Sequence, residues 1–342
     1  MHNHVSVQPR QGTYVVTLNA ANRLQRLEPS GLLVPSRAHP VYRALQEEFV
    51  KAIQLMLPGF LVRAVDMRVI MSQARAVIRN SIAGSTEYVV VSICFDLSPS
   101  EGGRALSINR IYGYHGEFIG YGPRVGCDSI GTQLDRLVPQ LRGKKVILLE
   151  DGVFRGQTMM YVLSRLIERG VVVTRVVVGF ASSQTRASLV EAFHRENWQI
   201  DISVVQEIDH LIDWIPDHDL VPFLPHCGRV VGVRDGDVFS PVITRDGWNR
   251  AFPYIEPFGS LAEWASLPHE KAIELSRFCL DASIELYSCI ARQNGIRKLF
   301  VDELLMCSRH ISLPLSLRGI KFAPSVKDDV VEYLRRARGW LE

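Results

Sequence analysis

The sequence predicts an α/β protein, a mainly parallel sheet with helical additions at both ends. Three observations carry that reading. Val146-Ile147-Leu148-Leu149 is an unbroken apolar run, as a strand covered on both faces requires. Met159, Val162, Leu163, Leu166 and Ile167 follow at helical spacing. Val171 to Phe180 is a second apolar run. Strand, helix and strand in about 35 residues make a βαβ unit, whose crossover places the two strands parallel.

The other elements are read in chain order. Residues 1–38, punctuated by Pro9, Gly12, Pro29, Gly31 and Pro35, read as a loosely structured entry with one short strand, Tyr14 to Leu18. From Pro40 to about Ile82 the pattern is helical. Ala44, Leu45, Phe49, Ala52, Ile53 and Met56 share one face, Pro58-Gly59 breaks the run, and a second helical stretch covers Val69 to Ile82. Tyr88 to Leu97 is rich in Val and Ile and reads as a strand. Ser98 to Gly103 reads as a turn, and Ala105–Tyr112 and Glu117–Tyr121 as two more strands with Tyr114-His115-Gly116 at a hairpin tip. Residues 88–122 are therefore expected as an antiparallel meander. Ile130 to Leu141 is a short helix.

Gly170 stops the helix of the βαβ unit at the position where a left-handed residue is favoured. Leu189–Asn197 reads as a helix and Ile200–Val205 as a strand. Asp213 to Pro225, rich in Pro and Asp, reads as a loop, and Gly228–Val233 returns to strand character. From Ser260 onward the pattern is helical, over Leu261–Leu267, Glu270–Asn294, Lys298–Cys307 and Ser325–Trp340. The expected organisation is an N-terminal helical extension packing on the core (1–84), an α/β core (85–240) and a helical C-terminal region (241–342).

Composition narrows the class. Hydrophobic residues at 47% and charged residues at 22% are ordinary for a globular chain, which argues against collagen-like or disordered classes. The net charge of +3 is too small to point to nucleic acid. No apolar run approaches the roughly 20 residues of a membrane helix. Met1 to Ser6 contains no apolar core, so no secretory signal is expected. The six cysteines form no C-x-x-C pair and read as reduced thiols of a cytoplasmic protein.

Glu150 and Asp151 sit where the buried strand ends. Gly152, Val153, Phe154, Arg155, Gly156, Gln157 and Thr158 then lead into the helix. The C-terminal edge of a parallel sheet is where such folds bind ligands. A helix N-terminus offers N–H groups and partial positive charge, which suit a phosphate. Thr158 adds a hydroxyl and Arg155 a full charge. The acid pair suits sugar hydroxyls, which donate to carboxylates. A carboxylate pair beside a phosphate cradle fits a ribose 5-phosphate.

This stretch resembles the phosphoribosyl pyrophosphate (PRPP) motif of type I phosphoribosyltransferases, with its four apolar residues, two acids, short loop and Thr-Gly-x-Thr. The likeness is close over residues 146–159 and extends in outline over 85–235. It implies a type I phosphoribosyltransferase-like core and Mg²⁺ as cofactor. It also implies that Glu150 and Asp151 hold the ribose hydroxyls, partly through the metal, as catalytic and metal-binding residues. Residues 152–158 would wrap the 5-phosphate. The strands before the motif match the position of the family's mobile loop. Two residues depart from the pattern. Phe154 stands where the family often has Asp or Thr, which removes a possible general base, and Arg155 stands where it usually has Thr. The pyrophosphate loop is not assigned. Ser100-Glu101-Gly102-Gly103-Arg104 fits it and fits a plain hairpin turn equally.

Other constellations are weaker. Asp209-His210, Asp213, Asp217-His218-Asp219 and His226-Cys227 crowd possible ligands together, but match no zinc spacing. Trp214 is a candidate to stack on a base, with Asp217 or Asp219 accepting from its edge. Ser182 to Arg186 lies at the ligand edge or caps the next helix. Arg335, Arg336 and Arg338 read as a solvated helix face.

Two functions stay open. One is an enzyme that binds PRPP or a nucleotide and acts at ribose C1. The other is an inactive nucleotide sensor or conflict-system effector of the same fold. The expected partners are the small-molecule substrate, and a second copy or another protein at the helical C-terminal region. Neither a membrane nor nucleic acid is expected.

Overall fold

The structure is a computed structural model that describes residues 12–82, 85–94 and 104–342. β1 (Thr13–Leu18), α1 (Ala20–Leu24), α2 (Pro40–Met56), β2 (Leu61–Asp66) and α3 (Met67–Ile82) come first. β3 (Tyr88–Ser92), β4 (Arg104–Ala105), β5 (Ile108–Tyr112), β6 (Phe118–Pro123) and α4 (Ile130–Leu141) follow. The βαβ unit is β7 (Lys145–Val153), α5 (Gln157–Ile167) and β8 (Val172–Ala181). α6 (Ser183–Arg195), β9 (Asp201–Glu207) and β10 (Leu211–Pro216) extend it. The chain closes with β11 (Arg229–Asp235), β12 (Val238–Pro241), β13 (Arg250–Phe252), α7 (Leu261–Trp264), α8 (His269–Gln293), α9 (Val301–Cys307), β14 (Leu313–Pro314) and α10 (Val330–Gly339).

The chain is mixed α/β with mostly parallel sheets. One five-stranded sheet has the order β4-β3-β7-β8-β9, and every neighbouring pair in it is parallel. β7 is its central strand. Val146 and Leu148 pack into one apolar cluster with residues of α4, α5 and α6, such as Leu134, Leu163 and Leu189. Ile147 and Leu149 enter another with Ile70, Ala74 and Ile78 of α3. Burial on both faces is why this strand has no polar alternation. Gly170, at φ +76°, ends α5 as its position predicts.

A three-stranded parallel sheet, β10-β1-β2, and a mixed sheet, β14-β13-β11-β5-β6 with β12 on β11, complete the architecture. The largest apolar cluster combines Tyr42, Phe49 and Ile53 of α2 with Leu280, Tyr287 and Ile290 of α8 and Tyr333 and Leu334 of α10. No helix among the described residues is long and apolar enough to cross a membrane.

Three expectations are corrected. Residues 88–122 are not one antiparallel meander. Only β5 and β6 pair antiparallel, with the tip at residues 113–117, whereas β3 runs parallel to β4 and β7. The apolar face of β3 packs with β7, which lies far along the chain, so its partner is set by burial and not by the nearest strand. The stretch from 40 to 82 is interrupted by a strand, β2, not only by Pro58-Gly59. Residues 213–216 belong to β10, because Val15 and Val16 of β1 pair with Trp214 and Ile215. Residues 95–103, which include most of the Ser100–Arg104 stretch, lie outside the described residues.

Candidate functional site

The site is built on the C-terminal half of β7. The Ser92↔Leu149 register and the Ile93 N–H donating to the Leu149 carbonyl (2.9 Å) bring Cys94 beside the acid pair. Asp151 N–H donates to Glu150 Oε1 (3.1 Å), and Gly152 N–H donates to Asp151 Oδ1 (2.8 Å). Each carboxylate is thus oriented by the next amide. Both side chains are half-buried. Burial first, and Asp151 second, push the Glu150 carboxyl well above its usual range, while Arg124 opposes the shift. Arg124 follows β6, and its Nη2 donates to the Ile93 carbonyl (3.2 Å). Its Nε is buried without a hydrogen-bond partner among the described residues.

The strand continues to Val153, so Gly152 and Val153 lie in β7 and the loop is only residues 154–156. Gly152 is required by packing. A Cβ there would stand 2.5 Å from Phe180 Cζ and 2.7 Å from Trp214 Cζ3. Phe180 and Trp214 meet edge to face, with ring centroids 4.6 Å apart. Trp214 is half-buried in this contact, on β10. Phe154 is half-buried, and its carbonyl accepts from Thr185 Oγ1 (2.8 Å). Arg155 is exposed, with its guanidinium 5.8 Å from the Phe154 ring centroid.

Gly156 is the N-cap of α5 at φ +74°, and among the described residues no side chain caps that helix. Its first-turn N–H groups therefore remain for a ligand. Gln157 is exposed and Thr158 half-buried. Tyr121 of β6 hydrogen-bonds Thr158, although burial is the larger influence and raises the phenol above its usual range. Its ring stacks on Tyr161, with centroids 4.4 Å apart. Arg110, opposite Tyr121 in the hairpin, lies in the field of Tyr112, Tyr254, Tyr121 and Asp219. The β5–β6 hairpin thus places the Tyr121 phenol against the start of α5.

The crowded polar segment serves the chain itself. Asp217 accepts from the Asn19 N–H (2.9 Å), the Ala20 N–H (2.8 Å) and Gln46 Nε2 (3.2 Å). His218 lies between Asn19 Oδ1, 2.6 Å from Nδ1, and Asp219 Oδ1, 3.3 Å from Nε2. Asp219 accepts from the Gly228 N–H (2.7 Å). Burial pushes both aspartates up to about 6, and burial with Arg23 and Arg124 nearby holds His218 well below its usual value. Among the described residues, the group with three converging metal-ligand side chains is Cys94, Glu150 and Asp151, whose ligand atoms lie within 4.8 Å of one another.

The sequence reading missed Cys94, Arg110, Tyr121 and Arg124. Cys94 follows a strand whose neighbour lies some fifty residues on, and only the register reveals that neighbour. The three other residues depend on where the hairpin folds, which no local pattern encodes.

Fold and site together define a mixed α/β chain with an acidic strand end beside an uncapped helix N-terminus. No family model matches the chain, and no curated protein matches it. Among solved structures it is similar to adenine phosphoribosyltransferase from Leishmania donovani, at 13% identity and a TM-score of 0.24, over 58% of this chain and 85% of that one.

Proposed function

We propose that the strand end of β7 and the N-terminus of α5 bind a ribose 5-phosphate, presented as PRPP or as a nucleotide, and that the chain acts at ribose C1. The observation that supports this most is the pairing of two oriented carboxylates with a helix start that no side chain caps. The first-turn N–H groups of α5 and the Thr158 hydroxyl would donate to the phosphate, with Arg155 adding charge. Glu150 and Asp151 would accept from the ribose hydroxyls. Arg124, whose charge acts on Glu150, would supply positive charge where a departing pyrophosphate needs it.

The carboxylate oxygens of Glu150 and Asp151, within 4.8 Å of each other, would hold a divalent cation, for which the resemblance noted above implies Mg²⁺. Such an ion would neutralise charge on pyrophosphate as the bond to C1 breaks. Phe154 supports a second reading, in which nucleotide is bound without turnover. It offers an apolar face and no general base beside the position of C1.

Calorimetric titration of PRPP with Mg²⁺ into wild type and Asp151→Asn tests the proposal, together with pyrophosphate release in the presence of a panel of bases. Binding lost in the variant, with pyrophosphate formed by wild type, is the transferase result. Binding without pyrophosphate is the sensor result. Absence of binding by wild type overturns both.

A further inference from the structure

We infer that Cys94, Glu150 and Asp151 form a three-donor site for a thiophilic divalent cation of the Zn²⁺ or Co²⁺ class, in preference to Mg²⁺. The inference uses the same strand end as the proposed ligand site but does not depend on ribose phosphate being the ligand.

The thiol and the acids arrive from different elements. Cys94 follows β3, the acids belong to β7, and the parallel register of the two strands sets them side by side. The Cys94 sulfur and one oxygen from each carboxylate lie within 4.8 Å of one another. Donors on a tetrahedral ion with bonds of about 2.0–2.3 Å stand roughly 3.5 Å apart, so side-chain adjustments on the order of 1 Å bring all three onto one ion. Two amides already hold one oxygen of each carboxylate, which fixes the carboxylate planes.

Donor chemistry then chooses the metal. Mg²⁺ takes oxygen and water, and a thiolate in its shell is unfavourable. Zn²⁺ and Co²⁺ accept sulfur and carboxylate together. Three protein donors leave a position for water or ligand, the pattern of zinc sites that bind substrate. The placement favours this arrangement. Cys94 is only 2% exposed, while the two carboxylates are half-buried. Cys94 is in no disulfide. On binding, the thiol gives its proton to solvent and the sulfur lone pair enters the metal bond. Arg124, beside these carboxylates, donates its Nη2 to the Ile93 carbonyl (3.2 Å).

The test is an anaerobic titration of Co²⁺ into the full chain, followed by the near-ultraviolet thiolate-to-cobalt charge-transfer absorption. The expected result is a band that saturates at one equivalent, yields to Zn²⁺ and withstands a tenfold excess of Mg²⁺. In Cys94→Ser the band disappears, and Co²⁺ affinity falls by at least about tenfold. In Asp151→Asn, which keeps the thiol, affinity falls by a similar factor. Absence of the band in wild type overturns the inference. So does a band undiminished in Cys94→Ser, ready displacement by Mg²⁺, or unchanged affinity in Asp151→Asn. The last outcome decides the matter if Cys94→Ser does not fold. Failure of PRPP to bind leaves the absorption unaffected, so the two readings fail separately.

Discussion

The Thr185 hydroxyl donates to the Phe154 carbonyl at 2.8 Å and so ties the loop between β7 and α5 to the first turn of α6. Thr185 is itself held, because its N–H donates to Ser182 Oγ (3.0 Å) and its Oγ1 accepts from the Ser182 hydroxyl (2.8 Å). Two helix starts at one sheet edge are thereby fixed to each other. Thr185→Val keeps the shape and removes both hydroxyl bonds. It should lower stability by about 1 kcal/mol. It should also weaken phosphate-ligand binding severalfold, read by denaturant unfolding and calorimetry. Unchanged affinity would show that the loop holds its shape without this tether.

Gly156 meets two demands at once. It has φ +74°, and a Cβ there would lie 2.7 Å from Leu189 Cδ2. Gly143 has a similar φ of +68° but open space around it. Gly143→Ala should therefore cost about 1 kcal/mol from backbone strain alone, and Gly156→Ala about 2–3 kcal/mol from strain and crowding together. Equal costs in chemical denaturation would mean that Leu189 yields freely.

Glu150 carries a folding cost at neutral pH. Its carboxyl is raised by burial and by Asp151. A raised carboxyl contributes stability while protonated, and that contribution is lost as pH rises through the folded-state value. Glu150→Gln removes the loss. The variant should be at least as stable as wild type at neutral pH and bind ligand more weakly. Thermal unfolding and calorimetry on the same samples check the opposed signs.

Asp219 gives a defined pH window. Its carboxyl rises to about 6 through burial, against the Gly228 amide and the cations Arg23, Arg110 and Arg229. The folded state therefore binds more protons than the unfolded state between roughly pH 4 and pH 6, so this group's contribution falls across that window as pH rises. Asn at 219 can still accept from Gly228 through Oδ1, the same oxygen that faces His218 Nε2. Relative to wild type, Asp219→Asn should gain about 2–3 kcal/mol between pH 4 and pH 7. His218 and His226, both lowered mainly by burial, act in the opposite direction as pH falls, but do so in both proteins. A constant difference across the range would place the Asp219 shift near zero.

What the sequence disclosed follows burial. Val146 to Leu149 is apolar on both faces because α3 lies on one side of β7 and α4, α5 and α6 on the other, so the strand announced itself. Ser182 as helix cap and Gly170 as helix stop were legible because each depends on its near neighbours. β2 was not legible, since only Val62 and Val65 of Leu61–Asp66 are buried and the rest mimics a helix surface. β10 was hidden by Asp213 and Pro216, which signal a turn unless β1 is known to lie beside them. The acid pair and Gly156 stood out by type and spacing. Their companions Cys94, Arg124 and Tyr121 did not, because sheet register and hairpin placement decide who stands opposite whom.

The apolar cluster that joins α2 to α8 and α10 has a consequence for how the chain comes to be folded. Much of the inner face of α2 has its partners more than two hundred residues later, beside the nearer Leu24, Leu27 and Val62. A growing polypeptide must carry that face uncovered until nearly all of the sequence has been synthesised. Closure over so long a separation is slow compared with local helix formation. The early segment is therefore a natural client for chaperones during translation. A premature stop before α10 would leave an adhesive, short-lived product, even though every strand of the five-stranded sheet had already been made.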